Sequence, residues 1–273
     1  MKAFSVLLLS AASIFAQSAV PLGTSANFAI LAGSAVTNTG SSVITGSVGV
    51  SPSTAITGFP PGTVLGGTIY SAGAIAAAAE NDATTAYNNA AGQAATTVLT
   101  GQNLGGLVLG PGVYFFASAA QLTGTLTLNA GGNPNAIFIF QIGTTLTTAT
   151  SAAVVAVNGT EAANIFWQVG TSATLGSGTS FLGNILALTS ITANSGVTML
   201  GRLLAINGAV TMITLTLTYP PALAPGTPGG PPPVTITTPP TTPAPSSLVL
   251  ILIGLGFATL YQTRERWLSA LRR

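Results

Sequence analysis

The side chains in this sequence that form a chemical pattern are hydroxyls. Four short runs read Thr144-Thr145-Leu146-Thr147, Thr171-Ser172-Ala173-Thr174, Thr189-Ser190-Ile191-Thr192 and Gly208-Ala209-Val210-Thr211. Alternate side chains of a strand point to opposite faces. With Leu146, Ala173, Ile191 and Val210 turned inward, the pairs Thr145/Thr147, Ser172/Thr174, Ser190/Thr192 and Ala209/Thr211 turn outward. Such a pair stands about 6.6–6.8 Å apart along a strand, and stacked strands lie about 4.8 Å apart. Stacked in register, the runs would form a rigid, uncharged grid of hydroxyls and methyls. A grid of this kind can order water; it cannot by itself break a covalent bond.

Composition removes most other chemistry. Of 273 residues, six are Lys or Arg and four are Asp or Glu, a charged fraction of 4 % against the roughly 25 % of ordinary soluble domains. Nucleic-acid binding needs a basic footprint, which is absent. With no His and no Cys, neither a Cys/His zinc site nor a triad that uses those residues can be built, and no metal or cofactor is expected. The formal charge of +2 belongs to the two ends, because between them stand only Glu80, Asp82, Glu161 and Arg202, three acids against one base. Hydrolysis or elimination on a polysaccharide needs paired carboxylates, or a cation with a base. Glu80 and Asp82 sit on one proposed helix, near its start where the helix dipole favours anions. Glu161 reads as a solvated loop charge and Arg202 as an exposed or capping charge. No catalytic residue and no enzymatic activity are expected.

Two readings of the hydroxyl grid remain. Thr is a favoured strand residue, and its presence on a solvent face can express β-propensity alone. An ordinary solvated sheet, however, carries Lys and Glu, which also protect its edges. Here they are missing, and hydroxyls recur at one column. A neutral lattice suits a partner that is itself a neutral lattice of water, which is ice. The competing reading is a cell-surface adhesin or glycan-binding scaffold. Sugar sites cluster exposed aromatics beside amides and acids, whereas Trp167 falls in an apolar run, half exposed at most, and Tyr70 and Tyr87 lie beside or on the helix.

The elements that must hold this grid are legible as repeats. Ala136–Gln141, Asn164–Val169, Asn184–Leu188 and Arg202–Ile206 are apolar strand-like runs, with Ile137, Ile165, Ile185 and Leu203 at intervals of 28, 20 and 18 residues. A period near twenty with Gly at the breaks predicts the rungs of a β-solenoid rather than a β-sandwich. The long first interval predicts an insertion near Asn158-Gly159-Thr160. Ala74–Ala95 is Ala-rich and free of Pro, and its stripe Ala79, Ala83, Ala86, Ala90 and Ala94 predicts a helix lying close against a sheet.

Both ends read as addresses. Residues 1–19 have the form of a secretory signal, with Lys2, an apolar run, and small residues in Ala16-Gln17-Ser18-Ala19. Residues 20–219 form the domain. Residues 220–245 are a Pro/Thr-rich spacer, and residues 246–273 are an apolar stretch followed by Arg264, Arg266, Arg272 and Arg273. That order resembles a bacterial sorting signal of the Pro-Glu-Pro type, with Pro243-Ala244-Pro245-Ser246 lacking the Glu; a plain tail anchor, its positive charge inside, is the alternative. The expectation is an exported or cell-surface monomer, tethered to the membrane by its C-terminal segment.

From Leu22 to about Thr218 the chain resembles the microbial ice-binding, or antifreeze, family with a discontinuous β-solenoid. The resemblance is carried by Leu22-Gly23, Phe28-Ala29-Ile30-Leu31-Ala32-Gly33, Ile44-Thr45-Gly46-Ser47-Val48-Gly49-Val50-Ser51-Pro52, Ala86-Tyr87-Asn88-Asn89-Ala90-Ala91-Gly92, Pro111-Gly112-Val113-Tyr114, the strand runs above, and Thr189-Ser190-Ile191-Thr192. It implies a mostly β, irregular three-sided solenoid with one long helix alongside and the first segment completing the coil out of sequence order. It further implies that one flat face binds ice, often through loose Thr-Ala/Ser/Gly-x-Thr motifs. Thr145, Thr147, Ser172, Thr174, Ser190, Thr192 and Thr211 are the expected ice-contacting residues.

Overall fold

Short apolar strands broken by Gly and small polar residues can bury one face only by stacking on copies of themselves. In the computed structural model they do so as a coil of parallel strands, described over residues 17–219. The chain divides into the units Met1–Pro233 and Val234–Arg273, and every described residue belongs to the first. The leader through Ala16, the spacer 220–245 and the segment 246–273 lie outside the described residues. Among the described residues no helix is long and apolar enough to cross a membrane.

Three strand ladders make the three sides. One side lies under the helix and stacks Gly112–Phe116, Phe138–Ile142, Ile165–Val169, the later halves of Ser180–Ala187 and Val197–Ala205, then Phe28–Ala32 and Ser47–Val50. The next side, here called the threonine face, runs Ala120–Leu122, Leu146–Thr148, Ala173–Leu175, Ile191–Ala193, Ala209–Met212, Ala35–Asn38 and Ala55–Thr57. The third face carries Thr125–Asn129, Ala153–Val157, the early halves of the two long strands, Leu215–Thr218, Val43–Thr45 and Thr63–Leu65. On every side an N-terminal strand follows the last C-terminal one, so the coil is discontinuous in sequence. The terminal strands are two or three residues long at Thr97–Val98, Val108–Leu109, Thr63–Leu65 and Ile69–Ser71, which limits the unpaired edge.

The uneven repeat has a geometric cause. In the later rungs one long strand turns the corner between third face and helix side at Gly183 (φ 108°) or Gly201 (φ 156°). A Cβ on Gly201 would sit 1.9 Å from the Gly183 carbonyl oxygen, so the stacked corner admits only glycine there. The earlier rung instead leaves Ala153–Val157 through Asn158 and Gly159, both at positive φ, and a short 3-10 turn at Ala162–Asn164. These extra residues are the insertion expected near Asn158-Gly159-Thr160.

Two apolar cores result. Inside the coil Phe140 stacks on Trp167 with ring centroids 3.9 Å apart, flanked by Tyr114 and Phe181. Trp167 is fully buried rather than half exposed, and its indole N–H donates to the Leu182 carbonyl at 3.0 Å. The second core lies between the coil and helix α1 (Ala74–Ala91), where Ala79, Ala83, Ala86 and Ala90 meet Phe28, Leu31, Ile139, Phe166, Leu186 and Leu204. Strands of this side are buried on both faces, hence their continuous apolar runs.

The helix ends at Ala91, four residues before the expected Ala95, and Ala94 is exposed outside it. Gln141, reaching from the sheet, donates through Nε2 to the carbonyls of Ala90, Ala91 and Gln93 at 2.8, 3.2 and 2.7 Å. A side chain thus takes acceptors that a longer helix would need for its own N–H groups.

Arg202 also departs from expectation: it is buried at 2 % exposure rather than solvated. Its Nε and Nη2 donate to the Ala26 carbonyl at 3.1 and 2.8 Å, its Nη1 donates to Asn184 Oδ1 at 2.8 Å, and the Tyr219 ring lies 5.5 Å away. Asn184 in turn donates to the Ala163 and Ile165 carbonyls. Burial pulls the Arg202 pKa down to about 10, so it is a cation at neutral pH. This network ties the N-terminal segment to the rungs on which it stacks. An ammonium cannot reproduce the planar fork, so Arg202→Lys is expected to cost about 2–4 kcal/mol in urea unfolding.

Candidate functional site

The threonine face is built by unbroken pairing across seven strands. Gln121 pairs with Thr147, Thr147 with Thr174, Thr174 with Thr192, Thr192 with Thr211, Thr211 with Thr37, and Thr37 with Thr57. Six consecutive threonines therefore stand in one column, about 4.8 Å apart. The residues preceding them, Leu146, Ala173, Ile191, Val210 and Val36, are buried and fill the coil. Thr147 and Thr57 are exposed and the four between them half-buried by their neighbours in the column.

None of these six hydroxyls donates to or accepts from another described residue, so each is available to water. The threonines at the turns behave differently: Thr171 Oγ1 donates to the Thr144 carbonyl at 3.0 Å and braces the corner.

The expected Thr147, Thr174, Thr192 and Thr211 share this column. Thr145, Ser172 and Ser190 lie two residues before Thr147, Thr174 and Thr192, on the same side of the sheet. Their column is continued by Ala209, Ala35 and Ala55, which pair with one another. The two serines contribute less free polarity than expected, since Ser172 Oγ accepts the Ser190 N–H and Ser190 Oγ the Ala209 N–H, both at 3.3 Å. The second column is thus one of small side chains, bearing hydroxyls at Thr145, Ser172 and Ser190 and only methyls at Ala209, Ala35 and Ala55.

Sequence reasoning missed Thr37 and Thr57. A signal was present: Ala35-Val36-Thr37 and Ala55-Ile56-Thr57 repeat the pattern of Ala209-Val210-Thr211. Thr57 follows Thr37 at the same interval of about twenty residues, whereas Thr37 pairs with Thr211 across a chain distance that no local period reveals.

The third face also bears hydroxyls, with Thr125, Ala153, Ser180, Thr198, Thr216, Val43 and Thr63 in one column. Its neighbouring column carries Val108, Val155, Leu200 and Leu65, exposed by 67, 40, 38 and 47 %, together with Leu182. Thr127, Thr218 and Thr45 stand in the same column and Val108 and Val155 match Thr in size, but Leu65, Leu182 and Leu200 reach further and make that surface uneven. The threonine face has only Thr, Ser and Ala in its two columns apart from Gln121 at the end.

The described charged groups sit away from both open faces. Asp82 Oδ2 accepts from the backbone N–H and hydroxyl of Thr24, both at 2.6 Å, and pins the first 3-10 turn to α1. Glu161 is exposed in the insertion. Glu80 lies beyond the first helical turn and is buried, with neither carboxylate oxygen hydrogen-bonded. Burial pushes its pKa up to about 8. Among the described residues no group of three or more acids or other ligand side chains could hold a metal ion.

Comparison with known proteins agrees with this geometry. The family model described as "Ice-binding-like" matches residues 30–218. An ice-binding protein of Nostoc sp. (strain HG1) is 58 % identical over 194 residues, covering 71 % of each chain. Ice-binding protein K3-B1 of Typhula ishikariensis is 38 % identical over 207 residues, 67 % of this chain and 83 % of that one. Among solved structures, the ice-binding protein of the Antarctic ascomycete Antarctomyces psychrotrophicus superposes with a TM-score of 0.71 at 39 % identity, covering 74 % of this chain and 98 % of that one. An ice-binding protein from an Antarctic biological consortium gives a TM-score of 0.71 at 48 % identity, over 74 % and 92 %.

Proposed function

The chain belongs to the ice-binding-like family, and from that premise we propose that it adsorbs to ice through the threonine face and halts crystal growth there. The observation that carries this assignment is the column Thr147, Thr174, Thr192, Thr211, Thr37 and Thr57, whose hydroxyls have no hydrogen-bond partner among the described residues. Each hydroxyl can hold a water molecule, while the adjacent methyls and the Ala/Ser column leave few competing polar groups. Waters held at fixed intervals on a rigid sheet already resemble a crystal layer, so little ordering entropy remains to be lost on contact. Each contact is weak, and affinity comes from many of them acting on a preorganised surface.

No enzymatic step is part of this proposal. Glu80 is buried on α1, Asp82 is engaged by Thr24, and Arg202 is buried in a structural network. The leader and the basic, apolar C-terminus support export and a tether at the end of the Pro-rich spacer, with a monomer as the acting unit.

Single ice crystals grown in a solution of the chain ending at Tyr219 test the reading. Faceted crystals and a gap between melting and freezing temperatures are expected. Round crystals growing as in buffer, with the β-rich fold verified by circular dichroism, would remove ice binding and bring glycan adhesion forward.

A further inference from the structure

Helix α1 and the sheet beneath it do not end together. Ile69–Ser71 is the last strand of the helix side, so no further rung covers Tyr70, which packs against the core under the helix. On α1, Ile75 lies one turn before Ala79, on the stripe that continues through Ala86 to Ala90. Those alanines are buried, yet Ile75 is 58 % exposed. The overhang leaves a groove of about 470 Å³, lined by Ile75 on the helix, by Phe28, Ser47 and Tyr70 on the sheet, and by Thr24 and Asn27 of the first 3-10 turn. Gly49 makes room for it. A Cβ there would sit 2.6 Å from the Phe28 ring; without one, Phe28 lies against the strand with the Tyr70 ring 5.5 Å away and tilted by 58°.

We propose that this groove is a second binding site, for a neutral pyranose sugar, and that it acts independently of the threonine face. Its polar groups are open to a ligand. Neither the Asn27 amide nor the Tyr70 hydroxyl has a hydrogen-bond partner among the described residues. The Thr24 hydroxyl gives its proton to Asp82 Oδ2, which leaves its oxygen free to accept. Ser47 Oγ accepts the Thr68 N–H at 3.3 Å and keeps its own proton to donate. Each sugar hydroxyl is both donor and acceptor, and the groove offers both kinds of group.

The apolar lining suits the rest of such a ligand. The C–H groups on one side of a pyranose ring form an apolar face, and Phe28, Tyr70 and Ile75 supply aromatic and aliphatic surface for it. No charged side chain lines the groove, so a phosphate or carboxylate would meet no cation there and an ammonium no anion. A bare hydrocarbon would cover the Asn27 amide and the Tyr70 hydroxyl without pairing them, at a cost in desolvation. The volume falls within the range of small-molecule sites. In the sequence Tyr70 stands apart from amides and acids; the fold brings Asn27 to it, with Asp82 behind Thr24.

The test is saturation-transfer NMR on the full chain, with glucose, maltose and cellobiose as neutral probes and glucose 6-phosphate as the anionic one. Transfer to the ring C–H protons of at least one neutral sugar is expected. Asn27→Ala and Tyr70→Phe each delete one unpartnered polar group, and each is expected to weaken binding about five- to tenfold without lowering the melting temperature. Ile75→Asp puts a charge on the exposed apolar wall and is expected to abolish binding. Absence of transfer to all three neutral sugars overturns the proposal. So does undiminished binding by the three variants, or glucose 6-phosphate held more tightly than glucose. Thr192→Tyr is expected to leave sugar binding unchanged, and Asn27→Ala to leave ice shaping unchanged. Loss of both activities in either variant would overturn the independence of the two sites, whereas sugar binding by a chain that does not shape ice would remove only the ice reading.

Discussion

Thr192→Tyr is expected to reduce the gap between melting and freezing temperatures at least tenfold while changing stability by no more than about 0.5 kcal/mol, the usual range for a surface substitution. Thr192 stands between Thr174 and Thr211, in the middle of the column. A phenol there projects beyond the plane of the threonine methyls and lifts neighbouring rungs away from the crystal, so several weak contacts fail together. Thr37→Tyr is expected to produce a similar loss, because Thr37 adjoins Thr211 although it is far away in the chain. Thr198→Tyr on the third face is the control and is expected to keep nearly full activity. If Thr198→Tyr abolished activity and Thr192→Tyr did not, the third face would be the ice-contacting surface. Ice-crystal faceting and thermal unfolding of the three variants decide between these outcomes.

Glu80→Gln is expected to stabilise the domain by several kcal/mol above pH 8 and to do little at pH 4.5. The native pKa of Glu80 is raised by burial from the ordinary 4.5 to about 8. Between those values the folded protein holds a proton that the unfolded chain has released. Stability therefore falls as pH rises through this window, by up to about 1.4 kcal/mol per pH unit, and the loss is complete above pH 8. Both carboxylate oxygens lack a hydrogen bond, so ionisation gains no compensating partner. The amide of Gln preserves the shape and cannot ionise. Melting temperatures of the two proteins are expected to diverge between pH 4.5 and 8 and to keep a constant gap above that; curves that stay parallel through that window would show that Glu80 does not titrate between the two states. Because the threonine face lies on another side of the coil, ice shaping by Glu80→Gln at pH 6 is expected to match the parent.

The sequence by itself determined whatever depends on neighbours a few residues apart. Alternation set Leu146, Ala173, Ile191 and Val210 inward and Thr147, Thr174, Thr192 and Thr211 outward, and the structure places them so. The interval of about twenty residues exposed the rungs, and the Ala stripe located α1 through its first four members. Family motifs added the three-sided coil and its out-of-order first segment. With no His and no Cys, the sequence also offered no residues for a Cys/His zinc site or a triad that uses them.

Only the tertiary structure decided the rest. It extended the column with Thr37 and Thr57, ended α1 where Gln141 takes its carbonyls, and drew Arg202 inward to the Ala26 carbonyl. It also separated a low threonine face from a third face made uneven by Leu182 and Leu200, two surfaces whose sequences alternate in much the same way. For Thr37, Arg202 and the end of α1 the deciding partner lies far along the chain: Thr37 pairs with Thr211, Ala26 is 176 residues from Arg202, and Gln141 is 51 from Ala90. Periodicity records which way a side chain points from its own strand. Which strand comes to lie beside it depends on closure of the whole coil, and no local pattern encodes that pairing.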